Sequence, residues 1–215
     1  MDVKRQAVAF AVAAVTVTAA FLGVGAGAVA AGQPTEQLKA QIDRVLKTLE
    51  EPELKQEGRA RERRLAVRKI AEDIFDFAET AKRSLGRHWQ PRSPAERQEF
   101  VALFTNLLER SYISKIELFN GERIVYAGET VESEQATVRT RLVTKQGSEV
   151  PVDYRMLRRG DRWLAYDVII EGVSLVANYR TQFNKIIQTT SYQELVKKMK
   201  TKQEEFQEQD RQRPT

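Results

Sequence analysis

The chain has 215 residues, no cysteine, one histidine and a formal net charge of +5. The lack of cysteine excludes a disulfide scaffold, and it also excludes a lipoprotein anchor, which needs a cysteine at the cut. A charge this modest on this length is what ordinary solubility requires; an anionic membrane surface is the alternative partner for it.

Lys4 and Arg5 open the chain, and an apolar run from Ala7 to Leu22 follows, broken only by Thr16 and Thr18. The run is shorter than the ~20 residues that a membrane-spanning helix needs. Small residues then lead to Ala28-Val29-Ala30, which fits the small-x-small pattern of a cleavage site. Residues 1–30 are therefore expected to be a signal peptide, with Ala31 the first mature residue. Its removal leaves about 185 residues, enough for one domain, and lowers the net charge to about +4. An exported chain is not expected to meet nucleic acid.

Past a loose leader, Leu38, Ile42, Val45, Leu46 and Leu49 have helical spacing, and Pro52 ends that helix. Residues 53–64 are highly charged, with Arg59, Arg61, Arg63 and Arg64 close together. They read as a solvated helix face, or as a docking patch for an acidic partner or lipid headgroups. A long helix is predicted over 59–85, with Val67, Ile70, Ile74, Phe77, Ala78, Ala81 and Leu85 on one face and Gly86 at its end. Ser93, Pro94 and Glu96 form a capping box for the next helix, which carries a wide apolar stripe from Phe100 to Ile116.

At Asn120-Gly121 the period changes to two. Residues 122–127, 136–144, 150–156 and 162–170 alternate and read as strands joined by tight turns, hence an antiparallel meander. After the Glu171-Gly172 corner a helix is predicted over 174–189, and Ser191 with Glu194 opens a short last helix through Leu195, Val196 and Met199. The polar tail over 201–215 is expected to be disordered. The fold class is α+β: N-terminal helices, a curved antiparallel β-meander of about four strands, C-terminal helices, and an apolar cavity between sheet and helices.

Chemistry is sparse. His88, the single histidine, stands at a helix end and is assigned to satisfying a carbonyl there. No serine has a nucleophile-elbow context. Asp73 with Asp76 reads as a polar helix face, and Asp167 with Glu171 as turn and cap chemistry. No catalytic residue, metal ligand or cofactor is assigned. What remains is an aromatic content larger than one small sheet has to bury.

Four pieces carry a family resemblance: Phe75-Asp76-Phe77 with Leu85-Gly86-Arg87-His88-Trp89; Ser93-Pro94-Ala95-Glu96-Arg97-Gln98-Glu99-Phe100 with Phe104 and Tyr112; Trp163 with Ala165-Tyr166-Asp167-Val168; and Glu171-Gly172-Val173-Ser174-Leu175. Together they resemble the MlaC family of periplasmic phospholipid-binding proteins, also called toluene-tolerance auxiliary components, over about residues 35–200. The resemblance implies a lipid-binding domain over 31–200 in a soluble, monomeric, periplasmic shuttle that catalyses no reaction. Its cargo would be a phospholipid. Its partners would be an outer-membrane lipoprotein complex and an inner-membrane ABC transporter with an MCE-domain ring, in a system that maintains outer-membrane lipid asymmetry. Val173, next to the corner glycine of the most specific string, is the first candidate for contact with lipid. Periodicity adds Ile74, Phe77, Phe104, Leu107, Tyr154, Val168, Leu175, Val176 and Tyr179. The alternative is a periplasmic binding or adaptor module for another apolar molecule, a solvent or a hopanoid; an envelope hydrolase using the carboxylates ranks behind both.

Overall fold

Leu38, Ile42, Val45 and Leu49 form the buried stripe of the first helix, α1 (Gln33–Glu50). Pro52 starts a single separate turn, α2 (Pro52–Lys55), and α3 (Ala60–Ile74) buries Val67, Ile70 and Ile74. The long helix expected over 59–85 is two helices. Phe75 is extended and forms a parallel bridge to Ala165, and the Asp76 amide donates to the Ala165 carbonyl at 2.9 Å. The Asp76 side chain then accepts from the Glu79 amide at 2.9 Å and starts α4 (Phe77–Leu85). An N-cap and a strand edge thus override an apolar period that runs straight through. Gly86 ends α4 with φ +58, a conformation that costs other residues energy.

The computed structural model describes residues 33–56, 58–116 and 121–212, all within the compact unit Ala31–Thr215. The expected signal peptide lies outside the described residues. The capping box is present: the Ser93 amide donates to Glu96 Oε2 at 2.8 Å and the Glu96 amide to Ser93 Oγ at 3.2 Å. It opens α5 (Pro94–Ile116).

An antiparallel sheet follows in chain order: β1 (Arg123–Glu132), β2 (Gln135–Val143), β3 (Glu149–Arg159), β4 (Arg162–Ile170) and a two-residue β5 (Val173–Ser174). The expected meander is therefore extended by a fifth, very short strand. Glu171 and Gly172 turn between β4 and β5 with φ +50 and +82, the two positive dihedrals that a two-residue hairpin of matching twist demands. Ser174 then caps α6 (Leu175–Thr189). The last helix, α7 (Tyr192–Gln212), continues well past Met199, so most of the expected disordered tail is helical. Lys200 pairs with Glu99 of α5 at 2.6 Å, and Lys202 with Glu205 at 2.8 Å.

The apolar interior is divided. One cluster joins α1 and α3 to Ala136, Val138, Met156, Trp163 and Ala165 on one face of the sheet, here the inner face. The other joins α4, α5, α6 and α7 around stacked aromatics. Phe104 lies 4.9 Å from Tyr179 and 5.2 Å from Phe183, both edge-on, the arrangement that ring quadrupoles favour. Helices α4 and α6 pack on β4. There Thr80 Oγ1 donates to the Tyr166 carbonyl at 3.0 Å and the Arg83 guanidinium sits 4.0 Å over the Tyr166 ring. Among the described residues no helix is long and apolar enough to cross a membrane.

Candidate functional site

In an antiparallel pair, residues directly opposite each other share a face of the sheet. The register therefore traces rows across the inner face. Ala136 stands opposite Met156, and Val138 opposite Tyr154, which faces Val168. The next row is Tyr126, Thr140, Val152, Ile170 and Val173, one residue from each strand, and beyond it come Ile124, Leu142 and Val150.

Burial changes along these rows. Ala136, Val138 and Met156 lie under α1 and α3 and are fully buried. Leu142, Val150, Val152 and Val168 are half-buried and belong to neither core cluster. Ile170 and Val173, at the edge of the sheet, are 38% and 45% exposed. One end of the inner face is thus covered by α1 and α3, with Ile124 and Tyr126 still against that cluster; toward the β4–β5 edge Leu142, Val150, Val152, Val168, Ile170 and Val173 form a less covered apolar region, interrupted by the buried Thr140. Apolar residues exposed singly are ordinary, whereas several grouped on one sheet face are what a candidate binding surface needs.

Its lip is held rigidly. Asp167 is 3% exposed; it accepts from Ser174 Oγ at 2.6 Å and from the Val176 amide at 3.0 Å, with Arg155 at 3.5 Å. The carboxylate therefore joins β4 to the positive end of α6 and fixes the corner that carries Val173.

The residues selected from the sequence fall into three places. Val168 and Val173 lie on the less covered end of the inner face, with Tyr154 at its boundary. Ile74, the last residue of α3, packs over the covered end of the face. Phe104 is inside the helical cluster, with Phe77, Leu107, Leu175 and Tyr179 packed against it, and Val176 is buried at the start of α6. Sequence reading passed over Leu142, Val150, Val152 and Ile170. Their alternation was visible, but the end of the sheet that the helices cover less was not.

Burial holds three tyrosine hydroxyls of the two cores above their ordinary range. Burial pushes the Tyr154 hydroxyl up to about 12. It does the same to Tyr112, which is hydrogen-bonded to Tyr179. Burial, with Tyr154 and Asp43 nearby, raises Tyr126 as well.

A separate cleft of about 220 Å³ lies at the covered end, between α1 and the start of β4. Gln37, Gln41, Asp73 and Arg162 are among its lining residues. It is smaller than the roughly 300–1,000 Å³ of a small-molecule site, and Ile74 alone of the candidates reaches it.

The ionisable groups considered for chemistry are engaged elsewhere. Asp73 meets Arg44 at 3.1 Å and Arg162 at 3.5 Å. Asp76 caps α4 and meets Arg159 at 2.9 Å. His88 does not satisfy a helix carbonyl: its Nε2 is 3.0 Å from the side-chain oxygen of Asn184 on α6, which Arg87 also approaches at 2.9 Å. Among the described residues no group of three or more His, Cys, Asp or Glu stands where it could hold a metal ion.

Two comparisons bear on this arrangement. A family model described as MlaC protein matches residues 39–201, more than half of the chain. The fold is similar to that of a phospholipid-binding protein from Ralstonia solanacearum, solved in complex with a phospholipid. That similarity has a TM-score of 0.72 at 24% identity and covers 80% of this chain and 97% of the other.

Proposed function

The chain belongs to the MlaC family, and on that premise we propose that it binds a phospholipid and carries it through the periplasm. The carriage runs between an outer-membrane lipoprotein complex and an inner-membrane ABC transporter bearing an MCE-domain ring. The protein acts by binding and release and catalyses no reaction.

The observation that supports this reading is the less covered apolar end of the inner face, from Leu142 and Val150 to Ile170 and Val173. An acyl chain of ~16 carbons represents on the order of 10 kcal/mol of unfavourable hydration. A lipid cannot cross water at a useful rate against that cost. A preformed apolar surface offsets it, and a surface open on one side still allows release. The ligand of the Ralstonia protein belongs to the same chemical class.

The test is native mass spectrometry of residues 31–215 after export to a bacterial periplasm, followed by lipid extraction. The expected result is a mass increment of one diacyl phospholipid or a small integral number of them. A bare protein that takes up no phospholipid from vesicles would refute carriage, and a different apolar compound in the extract would redirect the reading to that molecule.

A further inference from the structure

Helix α3 presents a face that lipid carriage does not use. Between Arg59 and Glu72 six cationic residues stand against two carboxylates, a surplus of four in a chain whose total is +5. Val67, Ile70 and Ile74 bury one side of the helix. On the opposite side Arg61, Leu65 and Lys69 follow one another at four-residue steps, so they form a single outward stripe. Leu65, at its centre, is 54% exposed, more than any other large apolar side chain among the described residues.

The carboxylates nearby do not neutralise this stripe. Glu62 is paired with Arg59. Glu72 approaches Arg68 at 3.6 Å, and Arg68 also meets Glu109 of α5 at 3.0 Å. Among the described residues neither Arg61 nor Lys69 has an ionic partner. Both are long side chains whose charged ends can extend while their stems lie along the helix.

We infer that the outer face of α3 docks on an anionic phospholipid surface. Its composition, one apolar residue between two cations, decides between the two classes of acidic partner. A protein partner that took this helix into a groove would need several apolar anchors at helical spacing and about 800 Å² of patch per side, and this stripe offers Leu65 alone. A leucine between two cations instead matches the boundary of a bilayer. The apolar group enters among the headgroups while the cations meet phosphate. The attraction is electrostatic and fades once the screening length falls to about 3 Å near 1 M salt.

The experiment is co-sedimentation of residues 31–215 with two kinds of vesicle, one of phosphatidylcholine alone and one with a third of it replaced by phosphatidylglycerol. Binding is expected to the anionic vesicles and to be lost at about 1 M salt. The double substitution Arg61→Glu with Lys69→Glu is expected to weaken it about tenfold or more. Leu65→Ser, which leaves the charge intact, is expected to weaken it several-fold. All three positions are exposed, so circular dichroism is expected to be unchanged. Native mass spectrometry of the same variants is expected to show the cargo of the unaltered protein, which separates this surface from the lipid site. Equal binding to neutral vesicles, undiminished binding after the charge reversal, or no binding to either vesicle would each overturn the inference.

Discussion

The buried carboxylate of Asp167 accepts the amide of Val176 at 3.0 Å, so the first turn of α6 is tied to the last long strand by a side chain and not by backbone pairing alone. Ser174 donates to the other carboxylate oxygen at 2.6 Å. Both contacts are donors facing an acceptor.

Asp167→Asn keeps the shape but turns an amide NH2 toward one of those donors. The expected cost is about 1–3 kcal/mol, the range for leaving a buried polar group unsatisfied. It would be read as a lower urea midpoint with an unchanged slope. A midpoint equal to that of the unaltered protein would mean that the carboxylate does not hold the corner.

Val173 is exposed on the two-residue strand β5, so Val173→Glu removes no core packing. The variant is expected to fold with a stability change within about 0.5 kcal/mol, as at other exposed sites, and to lose its lipid, because a charge would then face acyl chains. Native mass spectrometry of the purified variant checks this. Retained lipid would move the acyl site away from the β4–β5 edge.

Phe104 has no exposed surface and packs against Tyr179 and Phe183. Phe104→Ala is expected to destabilise the protein by about 3–5 kcal/mol, through lost transfer energy and the cavity left behind. Denaturant unfolding measures it. A loss below ~1 kcal/mol would instead fit a ring that lines cargo space.

Glu109 is 7% exposed, and burial raises its pKa despite Arg68 close by. A raised folded-state pKa means that the native chain holds the proton more tightly than the unfolded one. The associated stability is present below the unfolded value of about 4.3 and is lost as pH rises through the folded value. Glu109→Gln is therefore expected to leave stability little changed near pH 4 and to raise it relative to the unaltered protein at neutral pH. Urea midpoints of the two proteins across that window test the sign. A variant less stable at neutral pH would show that the Arg68 contact outweighs burial.

The parts of the fold set by local chemistry were legible in the sequence. Ser93 with Glu96, Gly86, and Ser191 with Glu194 each mark a helix end through a side chain or dihedral, and the alternation of Val150, Val152 and Tyr154 gave one face of β3. The parts set by distant contacts were not. Nothing local distinguishes Phe75 from a helical residue; its extension depends on Ala165, far along the chain. The helical run of α7 past Met199 is polar, with few apolar residues to mark its period, and it is supported partly by the long-range pair Lys200–Glu99. The candidate site divides in the same way. Val173 was reached through a motif and Val168 through periodicity. Leu142, Val152 and Ile170 needed the knowledge of where α1 and α3 stop covering the sheet.

Phe75 and Asp76 are the extended joint between α3, whose apolar side belongs to one core, and α4, whose apolar side belongs to the other. Both residues are also tied to β4, through the Phe75–Ala165 bridge and the bond from the Asp76 amide to the Ala165 carbonyl at 2.9 Å. The joint is thus pinned to the sheet, and the two helices take their bearings from one strand position, so a disturbance at Ala165 reaches both cores.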